Sequence, residues 1–121
     1  VEIHPFDTLD FIVKEIEKLK NIESVRLGDI TVLTSYNLFQ SVKEKLLTKY
    51  PVSIDALTDS TIHISTILNF KGLESACVLL VIDDLISIEE QELYVGLSRA
   101  INSLKIYINN DNYKHALKVL N

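Results

Sequence analysis

Seven consecutive apolar residues, Ala76 to Ile82, constrain the fold of this chain more than any other segment. The run is too short to span a bilayer, which takes about 20 such residues. Its β-branched members favour a strand over a helix. A strand apolar at every position must be covered on both faces, which is the condition of a central strand in a parallel sheet. The flanking segments supply the rest of such a sheet. Ile30 to Thr34 is rich in β-branched residues. Thr61 to Thr66 and Leu104 to Ile108 alternate with period two. Between them lie patterns of helical period. Leu9, Ile12, Val13, Ile16 and Leu19 follow a cap at Asp7 or Thr8. Leu38, Val42, Leu46 and Leu47 follow Asn37 and stop before Pro51. Ile88 to Ala100 is helical, and Tyr113, Ala116, Leu117 and Leu120 follow Asp111 or Asn112. Gly28-Asp29 reads as a turn. Interleaved helices and strands predict an α/β domain with a largely parallel sheet and helices on both faces. Ligands in such folds are expected outside the carboxyl ends of the strands.

Composition narrows the function classes. With 121 residues, 47% of them hydrophobic, the whole chain (1–121) reads as one domain with a real core. No segment has the length or pattern of a membrane span or signal peptide, and no membrane partner is expected. The single cysteine, Cys77, lies inside the apolar run and reads as a small buried hydrophobe, in keeping with a cytoplasmic setting. His4, His63 and His115 lack the spacing of metal ligands, so no metal site is expected. A net charge of −5 argues against a free-standing nucleic-acid binder, so any grip on DNA must be local or shared with other domains. Val1 as the first residue and the absence of methionine are what a piece of a larger protein would show.

Chemistry concentrates in the last third. Lys71-Gly72-Leu73-Glu74 lies between two predicted strands. Gly72 permits a sharp turn and close approach to a ligand. Glu74 would accept hydrogen bonds from sugar hydroxyls, and Lys71 offers a point charge for a phosphate. An exposed turn with a surface ion pair describes the same four residues. Further on, Glu92, Gly96 and Arg99 share one helical face, with Leu93, Leu97, Ala100 and Ile101 on another that is expected to pack on the sheet. Glycine inside a helix costs about 1 kcal/mol against alanine, so something is expected to approach the backbone on the face of Arg99. Alternatively, Arg99 complements the carboxyl-terminal dipole of its helix. Asp83-Asp84, after the central strand, reads as a loop or capping pair. Tyr36 either stacks on a base or is partly buried on the neighbouring helix.

Taken together, Ile64-Ser65-Thr66-Ile67-Leu68-Asn69-Phe70-Lys71-Gly72-Leu73-Glu74 resembles motif V of superfamily 1 helicases of the UvrD/Rep/PcrA type. Glu92 to Ala100 resembles motif VI, and Asp29 to Thr34, leading into Asn37 and Gln40-Ser41, a weaker motif IV. The resemblance covers residues 29 to 109. It implies a RecA-like three-layer sandwich, the second of two motor domains that close on ATP. No G-x-x-x-x-G-K-[ST] occurs in the chain, so the resemblance leaves most of the binding of ATP and Mg2+ to a first RecA-like domain. It casts Arg99 as the arginine finger of an ATP-dependent DNA helicase. It sets Gly72 and Glu74 on the nucleotide, with Lys71 and Ser98 beside them, and Thr66, followed by Asn69, against the phosphates of single-stranded DNA. The chain departs from the pattern at Leu68, where a histidine is common, and at Ser98, where threonine is usual. Glu92 stands where an arginine is common, and no arginine appears in Thr34-Ser35-Tyr36. The chain alone is expected to be inactive. A degenerate interaction or regulatory module is the alternative.

Overall fold

The computed structural model describes residues 2–83 and 90–120. Six strands form one sheet in the order β1-β6-β5-β2-β4-β3, and every neighbouring pair is parallel. The strands are β1 (Glu2–Phe6), β2 (Ile30–Thr34), β3 (Val52–Ser53), β4 (Ile62–Thr66), β5 (Ser75–Ile82) and β6 (Ala100–Asn109). The helices are α1 (Phe11–Asn21), α2 (Phe39–Leu47), α3 (Glu90–Ser98) and α4 (Tyr113–Leu120).

The apolar run is the axle of this arrangement. Along β5, Cys77, Leu79 and Val81 enter one core with Ile12, Ile16 and Leu19 of α1 and Val42 and Leu46 of α2. Val78, Leu80 and Ile82 enter a second core with Ile67, Phe70 and Val95 on the opposite face. Strand periodicity divides one continuous apolar run between two layers, and each fully buried Leu or Ile contributes roughly 1.5–3 kcal/mol. The three-layer parallel α/β expectation therefore holds.

Several local expectations do not. α1 begins at Phe11 rather than at Asp7 or Thr8, and Asp10 at its start makes no side-chain cap. Its carboxylate instead accepts from Lys45 Nζ of α2 at 2.6 Å, which holds that carboxyl below its ordinary range. Asn37 is no cap. It lies inside a 3-10 turn, Tyr36–Leu38, and α2 starts at Phe39. Leu47 is 53% exposed because α2 turns only Val42 and Leu46 fully inward. α2 ends at Leu47, several residues before Pro51. β1 was not foreseen. It is an edge strand, which is where a proline such as Pro5 is tolerated. β6 begins at Ala100, well before Leu104, because Ala100 pairs with Ser75 across an irregularity in β5. The expected helix start at Ile88 and the side chains of Leu93, Ala116 and Leu120 lie outside the described residues.

Candidate functional site: two rims of one sheet

The connections of β5 bring the two sequence motifs together. After β4 the chain makes a 3-10 turn, Leu68–Phe70, which begins at the carboxyl rim where Ile67 N–H donates to the Thr34 carbonyl at 3.1 Å. Ile67 and Phe70 are buried against the sheet. The chain then descends to the amino rim and turns through residues 71–74 into β5. α3 returns from the other side and ends at the same rim, where Ser75 N–H donates to the Arg99 carbonyl at 3.0 Å. Lys71, Gly72, Glu74, Ser98 and Arg99 are thereby gathered at the amino ends of β5 and β6. These residues thus lie at the opposite ends of the strands from the carboxyl ends where ligands were expected. The turn enters β5 and α3 leads into β6, so both motifs must end where these strands begin.

Gly72 has φ +85°, the left-handed region that side chains rarely adopt. No atom lies within 4 Å of the place a Cβ would take, so the outer side of the turn is open. Lys71 and Glu74 are exposed, as the exposed-turn reading has it, and make no ion pair among the described residues. Arg99 is half-buried. Its Nε donates to the Val95 carbonyl at 3.2 Å, and Ser98 Oγ donates to the same carbonyl at 3.2 Å. Two donors thus satisfy one of the free carbonyls at the end of α3. The guanidinium keeps further N–H donors beyond Nε, and no carboxylate pairs with it among the described residues.

Gly96 does not serve a ligand. A Cβ there would meet Leu80 Cδ1 at 3.1 Å and Ile67 Cγ2 at 3.4 Å, so the close approach is that of α3 to β5. Val95 and Gly96 are buried on the sheet with Leu97 partly so, whereas Ile101, expected to pack, is 63% exposed. Gly96 lets α3 lie close over Leu80, and Ile101 belongs to β6 rather than to the helix.

Thr66 and Asn69 occupy the other end. With Tyr36, Leu68 and Glu92 they line a hollow of about 290 Å³ beside the carboxyl ends of β2 and β4. Tyr36 is 83% exposed, which excludes its burial on α2. Beneath it, Ser35 Oγ donates to Asp83 Oδ1 at 3.1 Å, and Asn112 Nδ2 donates to the Asp83 carbonyl at 2.6 Å. Asp83 thus fastens the loops of this rim, while Asp84 lies outside the described residues. A second cleft of about 240 Å³, lined by Phe39, Ile54, Asp55, His63, Ser65, Asn69 and Leu73, was not anticipated. His63 there is bound through Nε2 to the Ile54 carbonyl at 2.9 Å, a contact between a strand and a distant loop that no motif announces. Among the described residues no group of three or more His, Cys, Asp or Glu is placed to hold a metal ion, and no helix is long and apolar enough to cross a membrane.

A parallel six-stranded α/β sandwich with an arginine-tipped helix against a glycine turn is the class this geometry defines. Among solved structures the chain is similar to the C-terminal domain of a possible DNA helicase from Lactobacillus plantarum WCFS1, with a TM-score of 0.66 and 17% identity over 95% of this chain and 80% of that one. The likeness is one of fold. No protein-family model matches the chain, and no curated protein matches it.

Proposed function

We propose that this chain is the second motor domain of an ATP-dependent DNA helicase of the UvrD type, supplying one side of a nucleotide site to a first RecA-like domain. One observation supports the reading: the Ser75–Arg99 backbone bond brings the end of α3 and the strand entered by the Gly72 turn to one rim, where the turn is open on its outer side. The open side of Gly72 admits a ligand to the backbone. Glu74 accepts from a ribose hydroxyl there, Lys71 offers a charge to phosphate, and Ser98 positions the end of α3. Arg99 stabilises the charge that develops on the transferring phosphoryl group. ATP and Mg2+ are held mainly by the first domain, which provides the phosphate loop and the carboxylates. Nucleotide hydrolysis then requires closure of one domain on the other, and that motion advances single-stranded DNA past the opposite rim.

The test is ATP turnover. The chain by itself shows none, whereas the intact parent turns over, and Arg99→Ala lowers its rate by about 10³-fold or more. An unchanged rate in that variant favours the second reading, a RecA-like interaction module without ATPase function. Two features support that alternative: the absence of arginine in Thr34-Ser35-Tyr36 and the bond of Arg99 to its own helix end.

A further inference from the structure

The Arg99 side chain is folded back on its own helix. Arg99 is the first residue after α3, and its Nε donates to the Val95 carbonyl, one helical turn earlier. A side chain curled onto the preceding turn is not extended beyond the rim. The main chain is fixed as well, because the Arg99 carbonyl accepts from Ser75 N–H at 3.0 Å. A phosphate carried by another domain therefore meets a guanidinium still bound to its own helix, and only the side chain is free to move toward it.

Ser98 decides what that movement leaves behind. Val95 is buried, and its carbonyl is one of the last four of α3, which lack the usual intrahelical partner. The Ser98 hydroxyl donates to this carbonyl at 3.2 Å, the same distance as Arg99 Nε. A carbonyl oxygen has two lone pairs and accepts both donors. When Arg99 departs, the hydroxyl stays and the oxygen remains hydrogen-bonded. With alanine in place of Ser98, the same departure strips a buried acceptor of its last side-chain donor, which is costly. Among the described residues the Ser98 hydroxyl has no other hydrogen-bond partner, so this carbonyl is its one task.

We propose that Ser98 is a positioning residue that lets Arg99 change place, from a resting bond on the Val95 carbonyl to a working one on a phosphate when two domains close. This rests on the arginine-finger reading above and adds a regulation to that site. The finger stays at its helix end until an anionic oxygen replaces the carbonyl as its acceptor. A charged acceptor makes the stronger bond, so the exchange is driven by the phosphate itself. The bond of Arg99 to its own helix is thereby a resting position.

The test uses the intact parent with Ser98→Ala, Ser98→Thr and Arg99→Ala, and reads kcat, KM for ATP and urea unfolding. Ser98→Ala lowers kcat about tenfold, the size expected when one buried acceptor loses its donor, and moves KM less than about twofold. Ser98→Thr returns the hydroxyl and with it the turnover. Nitrogen-15 spectra of the 121-residue chain follow the bond directly: Arg99 Nε–H exchanges with water more slowly in Ser98→Ala, where it is the sole side-chain donor to Val95. A Ser98→Ala variant with a shifted urea midpoint but parental kcat, or with unslowed exchange at Nε, overturns the proposal. If Arg99→Ala still abolishes turnover, the arginine-finger reading stands without it. Parental kcat in both Ser98→Ala and Arg99→Ala overturns the two together.

Discussion

The two rims of this sheet are built by different means. The amino rim is shaped by backbone. Gly72 takes a positive φ, Arg99 is fixed through its own carbonyl, and its guanidinium bonds to another backbone carbonyl. The carboxyl rim is shaped by side chains. Ser35 and Asn112 converge on Asp83 across a long sequence separation, and the hollow at that rim is lined by Tyr36, Thr66, Leu68, Asn69 and Glu92. A rim made of backbone can present N–H groups and a cation to a phosphate. The lesson is that two rims of one sheet can be built by different means, one by backbone geometry and the other by side chains from distant connections.

Substitutions sharpen that contrast, and the largest effect belongs to the amino rim. Gly28 stands just before β2, and a Cβ on it would lie 2.4 Å from the Thr58 carbonyl oxygen and 2.5 Å from Asp59 backbone atoms. Because backbone cannot step aside as a side-chain end can, Gly28→Ala is expected to cost about 3 kcal/mol in urea unfolding. Gly72→Ala meets no atom and loses only the left-handed backbone preference, about 1–2 kcal/mol, with Gly72→Asn milder. Equal costs for the two glycines would break the distinction between crowding and conformation. At the carboxyl rim, Ser35→Ala removes a part-buried bond to Asp83 and is expected to cost about 1 kcal/mol.

Gly96→Ala is the smallest change. Its new methyl presses the flexible ends of Leu80 and Ile67, and the helix gains about 1 kcal/mol of propensity, so the net effect on the melting temperature is near zero. A large loss of ATP turnover with unchanged stability in that variant would return Gly96 to the ligand site. For pH, the Asp10 carboxyl is lowered by Lys45, so its contribution is present above the ordinary carboxylate pKa and is lost as pH falls through the folded value. Amide exchange at the start of α1 should therefore rise below about pH 4, and this rise should disappear in Lys45→Ala. An unaltered acid response in that variant would show that another group is responsible.

The legible parts of the fold were those that a single segment determines. Ile30 to Thr34 is a strand in the structure over the residues its β-branched run indicates, and Ala76 to Ile82 is a central strand because nothing but burial on both faces suits it. β1 escaped notice because His4 and Pro5 interrupt its pattern, and an edge strand needs no strong pattern. The start of α1 was misread because the Asp10 carboxylate, free to cap its own helix in isolation, has Lys45 of α2 as a better partner. The segments around Gly72 and Arg99 stood out in the sequence, and the structure brings both to the amino rim. The geometry that ties Gly96 to Leu80 and Ser35 to Asp83 depends on residues far apart in sequence and left no local trace.

The central claim is that the Gly72 turn and Arg99 form half of a nucleotide site that another domain completes. The decisive measurement is the rate of ATP hydrolysis by the intact parent carrying Arg99→Ala, read beside its affinity for single-stranded DNA. The account predicts a fall in turnover of about 10³-fold or more with DNA affinity moved less than about twofold, because the two ligands use opposite rims. Full turnover in that variant, or a loss of DNA affinity in step with turnover, would contradict it.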